Sequence, residues 1–150
     1  MGFSFAERMS GSYYLLSEPL LAHAIAVDIE AHVRVLRART ARRGLRATVT
    51  ASVVGRIRAE GLADATVQGT LGLHALHERR IPYDLSFTAE AGPMRLVGEK
   101  DLSWLAPVET LVVLPFTIVD AWKEIARGTL RFDVRRDWRT LARSFWASPF

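Results

Sequence analysis

The stretch LRATVTASVVGRIRA, from Leu45 to Ala59, alternates almost without interruption. Arg46, Thr48, Thr50, Ser52, Arg56 and Arg58 fall on one side, and Leu45, Ala47, Val49, Ala51, Val53, Gly55 and Ile57 on the other. Successive side chains of a strand point to opposite faces, so a period of two predicts a half-buried β-strand. Several positions on the apolar side, Ala47, Ala51 and Gly55, are too small to fill a core by themselves. What occupies the space beside them decides how the fold is used.

The same period recurs along the chain. In AIAVDIEAHVRVLR (Ala24 to Arg37), Ile25, Val27, Ile29, Ala31, Val33 and Val35 share one face, and Asp28, Glu30, His32 and Arg34 the other. Further alternating sets are Ala65 to Ala75, Ile81 to Ala89 and Met94 to Trp104, and a last one runs from Ala126 to Val134. The apolar run Thr110 to Val119, interrupted by Pro115, supplies another strand. Turns are expected at Ala41–Gly44, Glu60–Asp64 and Ala91–Pro93, where Gly suits a positive φ. Two segments read differently. Ser4-Phe5-Ala6-Glu7 fits a capping box and predicts a short N-terminal helix, followed by a turn at Ser10-Gly11-Ser12. Asp137 to Trp146 is helical in period, with Trp138, Leu141, Ala142 and Phe145 on one stripe and Asp137 as its cap.

About eight strands joined by short turns make antiparallel neighbours. A meander with one apolar face closes into a barrel or curls into a half-barrel, and closure removes exposed edges. The expectation is therefore all-β: a single domain over residues 1–150, an antiparallel up-and-down, lipocalin-like β-barrel or half-barrel with short terminal helices. The C-terminal helix would plug one end or pack on the wall.

Composition agrees with a globular domain, at 49% hydrophobic and 24% charged residues. The chain has no cysteine, which excludes disulfides and thiolate metal sites and fits a cytoplasmic location. The N-terminus does not read as a signal peptide, and no apolar run approaches the ~18 residues of a membrane span. Net charge is +4, and of 20 basic residues only Lys100 and Lys123 are lysine.

Catalytic motifs are scarce. His23, His32, His74 and His77 show no metal-ligand spacing, and no phosphate loop, dinucleotide glycine pattern or nucleophile elbow is present. The expected cofactor and metal complement is none, and nucleic acid is not an expected partner. Arg37, Arg39, Arg42, Arg43 and Arg46 crowd one hairpin tip, which reads as a solvated end or a grip for an acidic partner.

Lys100 stands out, because parity with Leu96 and Leu102 turns its amine toward the apolar face. A buried lysine can donate hydrogen bonds or act as a base; the alternative is a local bulge from which it snorkels to the rim. Tyr83, inward by the same parity, either orients a polar group of a ligand or is a satisfied core phenol. These two are the candidate catalytic residues. Trp104, Phe87, Phe132, Met94, Leu96, Val49, Val53 and Leu71 are the candidate substrate-binding residues. Tyr13 and Tyr14 could line the same pocket, and Glu109 is an inward acid by parity or a solvated strand end. Two readings of the small inward residues stay open. They mark bends and crossings beside large neighbours, or they line an apolar cavity.

RMSGSYYLL (Arg8 to Leu16), RRIPYDLSF (Arg79 to Phe87), MRLVGEKDL (Met94 to Leu102), ETLVVLP (Glu109 to Pro115), GTLRFDV (Gly128 to Val134) and LARSF (Leu141 to Phe145) occur in that order. Together they resemble a β-rich accessory module of actinobacterial cholesterol-oxidase-like flavoproteins of the glucose–methanol–choline family. The resemblance implies a β module handling bulky apolar molecules; these residues include no flavin-binding segment, so oxidase activity is not implied. The architecture is also similar to small barrel cyclases of bacterial polyketide pathways, which act without a cofactor by holding reacting carbons together. The leading expectation is thus a cofactor-independent cyclase or isomerase that encloses a bulky apolar, polyketide- or sterol-like molecule. The alternative is a non-catalytic lipid- or sterol-binding module that partners an oxidoreductase, and a second copy of the chain is a further candidate partner.

Overall fold

In a computed structural model, which describes residues 2–40, 44–72, 80–101 and 111–133, the alternating segments become strands of one sheet. They are β1 (Gly2–Leu15), β2 (Glu18–Thr40), β3 (Gly44–Ala59), β4 (Ala63–Leu71), β5 (Arg80–Ala89), β6 (Gly92–Asp101), β7 (Leu111–Asp120) and β8 (Lys123–Asp133). Each pairs antiparallel with its neighbour in sequence, and β1 also pairs with β8, from Ser10↔Arg131 to Leu15↔Ala126. That last ladder decides between the two expected forms: the sheet is a closed up-and-down barrel.

Four tight turns, at Leu16–Ser17, Glu60–Leu62, Glu90–Ala91 and Ala121–Trp122, gather at one end, called here the turn end. Gly61 and Gly92 take positive φ there, at 77° and 129°. The other end, the far end, carries the last residues of β2 and the first of β3. Pro115 sits exposed within β7, and the β6–β7 ladder stops at Gly98↔Phe116, one residue short of it, so its missing N–H breaks no bond of that ladder.

The N-terminal helix is corrected. Ser4 to Glu7 belong to β1, which pairs with β2 from Gly2↔Arg34 onward. A capping box satisfies two local donors, whereas this ladder satisfies a whole strand and lets Glu7, Met9 and Tyr13 turn inward while Ala6, Arg8 and Ser10 face out. Ser10-Gly11-Ser12 is likewise mid-strand, and the turn comes at Leu16–Ser17. The helix expected over Asp137–Trp146 lies outside the described residues.

The opening stretch behaves as its period demands. Ala51, Val53, Ile57 and Ala59 are buried; Ser52, Val54, Arg56 and Arg58 are exposed. Its small residues also find their explanation. Gly55 sits in register between Ile29 and Val67, and Gly69 between Val53 and Leu85. A Cβ at Gly55 would lie 2.0 Å from the carbonyl oxygen of Asp28, and one at Gly69 only 1.8 Å from that of Asp84. These glycines are where strands crowd one another, with a large side chain on each side to fill the interior. Met9, Val27, Ile57, Leu85, Leu96, Leu114, Ile118 and Leu130 have 0% exposure, as closely packed side chains must. At these positions large and small residues alternate to fill a narrow barrel rather than to hollow it.

The outer wall is polar. Arg8 bonds Asp28 at 2.7 Å, Arg56 bonds Asp64 at 2.7 Å, and Arg95 bonds Asp84 at 2.6 Å, each across adjacent strands. Being exposed, these pairs contribute little stability, but they keep the outer wall wet. No helix among the described residues is long and apolar enough to cross a membrane.

Candidate functional site

Among the described residues, two charged side chains are buried in the apolar interior, Glu7 at 5% and Lys100 at 2% exposure. They meet. The Lys100 Nζ donates to Glu7 Oε1, and the Tyr83 hydroxyl donates to the same oxygen at 2.8 Å. The ammonium also lies 4.9 Å from the centre of the Tyr83 ring, within cation–π range.

The strands explain the meeting. Lys100 is on β6 opposite Ile81, two residues along β5 from Tyr83, so the two share a face at adjacent inward positions. Glu7 comes from β1, which lies diametrically across the closed order from β5. The Tyr83–Glu7 bond therefore crosses the barrel. Leu114 and Leu130, in register with each other on β7 and β8, are both fully buried on the barrel's inner face. On the turn-end side of the cluster lies a packed apolar core, and Leu71 and Ile81 stand beside the cluster, in register with Tyr83 and Lys100.

Electrostatics follow from this burial. Removing an ammonium and a carboxylate from water costs several kcal/mol each, by order of magnitude, and only mutual contact plus added hydrogen bonds offsets it. Tyr83 supplies one such bond. Burial pushes its phenol well above the ordinary 10.0, and the Glu7 charge and hydrogen bond push in the same direction. The cluster thus offers a cation, an anion and a neutral hydroxyl within one water-poor space. Such a set can hold a ligand's carbonyl or hydroxyl and can pass a proton to or from it.

The expected site residues are distributed as follows. Lys100 and Tyr83 are brought together, and the rim-snorkelling alternative for Lys100 does not occur. Leu71 is paired in register with Tyr83, and Val53 and Leu96 are buried in the same wall. Phe87 and Met94 pair directly with each other but lie toward the turn end. At ~3.4 Å per residue they are more than ~10 Å along their strands from Tyr83 and Lys100, inside the packed core. Trp104 and Glu109 lie outside the described residues, as do Arg42 and Arg43. Val49 and Phe132 are placed on β3 and β8, and Arg37, Arg39 and Arg46 on β2 and β3, with side chains outside the described set.

Tyr13 does not join the cluster. Its hydroxyl donates to the Glu60 carbonyl and its ring stacks on His23, with centroids 5.2 Å apart, so it latches β1 to the β3–β4 turn. Burial raises its pKa, and Glu60 adds to the effect. Glu7 is the residue that sequence reasoning missed. Parity with Met9 and Tyr13 would have turned it inward, but the capping-box reading of Ser4 to Glu7 hid that parity.

No group of three or more His, Cys, Asp or Glu among the described residues could hold a metal ion. A comparison with protein-family models, curated proteins and solved structures gives no match to this chain, so the reading of the site rests on its own geometry.

Proposed function

We propose that this barrel binds a bulky apolar small molecule, polyketide- or sterol-like, carrying at least one oxygen. The molecule sets that oxygen against Glu7, Lys100 and Tyr83. The observation that carries the reading is the buried Glu7–Lys100–Tyr83 cluster in an otherwise apolar interior. An ion pair that apolar residues of similar size could replace without loss of stability is a costly way to fill a core. It is an effective way to orient a ligand, since a few convergent polar groups in an apolar mouth fix position and specificity.

A catalytic reading rests on the same contact. Two proton donors converge on one carboxylate oxygen, an arrangement that could move a proton on a bound molecule. In that reading the protein is a cofactor-independent cyclase or isomerase, and shape supplies most of the rate.

Native mass spectrometry of the protein purified from its host, paired with titration by a sterol and by its deoxygenated hydrocarbon, tests the proposal. The expected result is an apolar adduct, tighter binding of the sterol, and loss of that preference in Glu7→Gln/Lys100→Met. Absence of an adduct together with equal affinity for both probes would contradict it. Faster conversion of a linear polyene precursor than in buffer would move the conclusion from carrier to enzyme.

A further inference from the structure

The turn end shows a feature that the interior site does not use. Leu15 pairs with Glu18 and Tyr13 with His23, so Pro19, Leu20, Leu21 and Ala22 face only Tyr14 and bulge outward. All four are exposed; Leu20 is 101% and Leu21 53% exposed. The Leu16 amide donates to the Ile125 carbonyl at 2.9 Å, which sets this bulge beside the β7–β8 turn. At the tip of that turn stands Trp122, 94% exposed.

The β7–β8 turn is built against local preference. A two-residue hairpin loop favours Asn-Gly or Gly-rich pairs, yet Ala121 occupies the left-handed region at φ 57° beside Trp122. A non-glycine residue there carries strain, and strained positions that persist tend to mark functional surfaces. Two separate devices, an apolar bulge and a strained turn, therefore display large apolar side chains at one end of the barrel.

We propose that the turn end docks on a zwitterionic lipid surface, with Leu20, Leu21 and Trp122 entering the headgroup layer. Size argues for lipid over protein. A stable protein interface takes ~800 Å² and roughly 20–30 residues from each partner, whereas this surface is a few protruding side chains on two tips. Tryptophan and leucine are the residues that sit at and below a membrane interface. Charge selects the lipid. The residues directly flanking the four turns are the acids Glu18, Glu60, Glu90 and Asp120 and one base, Lys123, while Arg95 and Arg127 lie deeper along their strands, paired with Asp84 and Glu124. That balance repels anionic headgroups and complements the outward ammonium of phosphatidylcholine, which the Trp122 ring face also attracts.

Co-sedimentation of the full chain with phosphatidylcholine vesicles, and with vesicles enriched in phosphatidylglycerol, tests this. Binding is expected to the first and to be weaker on the second. Trp122→Ser and Leu20→Ser/Leu21→Ser should each weaken it by about tenfold or more, with circular dichroism unchanged. The proposal is overturned by absence of binding, by binding that these variants leave intact, or by stronger binding to the anionic vesicles. It is also overturned by concentration-dependent self-association that Trp122→Ser abolishes, since a second copy would then be the occupant.

Discussion

Tyr83 holds its proton more firmly than a free phenol, chiefly because it is buried and secondarily because the Glu7 carboxylate faces it. A group whose folded pKa lies above its unfolded value contributes stability that is complete below the unfolded pKa, ordinarily 10.0 for tyrosine, and is lost as pH rises beyond it. Above about pH 10 the unfolded chain releases this proton while the barrel retains it, so stability should fall. An alkaline titration followed by phenolate absorbance and circular dichroism should show the Tyr83 proton leaving only as the strands melt. Tyr83→Phe should flatten the loss of stability over that range. Ionisation of Tyr83 in an intact barrel would contradict its placement. At this scale the sequence was half legible. Lys100 and Tyr83 reveal their direction through unbroken period-two neighbours. Glu7 does not, because Ser4 and Glu7 also satisfy a local helix motif, and only pairing with a distant strand resolves the conflict.

Among the elements, β3 and β4 show what a small residue is for. The alternation from Leu45 to Ala59 established the strand and its faces, but it left open whether Gly55 lines a void or relieves a collision. That distinction depends on register, since Gly55, opposite Ile29, is tight only because the Asp28 carbonyl of β2 stands where its Cβ would be, and register joins residues far apart in the chain. The same holds for Gly69 against Asp84 on β5. Gly69→Ala is therefore expected to destabilise the barrel by about 1–3 kcal/mol, as overpacking does. The neighbouring outward substitution Thr70→Ala should stay within about 0.5 kcal/mol. Urea denaturation of both variants checks the pair; equal, small effects would mean that β4 and β5 are not in this register.

For the whole molecule, closure turns separate strands into a site. Glu7 and Lys100 are 93 residues apart in sequence and meet only because β1 seals against β8 and so stands across the barrel from β5 and beside no part of β6. The cluster that orients a ligand in the proposed function is the same one that ties opposite walls together. Removing one member strands a buried charge, which costs about 3–5 kcal/mol, whereas neutralising both leaves an uncharged interior of similar volume and costs far less. A double-mutant cycle with Glu7→Gln and Lys100→Met, read by urea denaturation, measures the contact on which the account rests. The predicted result is a coupling energy of at least about 2 kcal/mol, with the double variant more stable than Glu7→Gln alone. Additive effects of the two substitutions would contradict a buried bridge across the barrel.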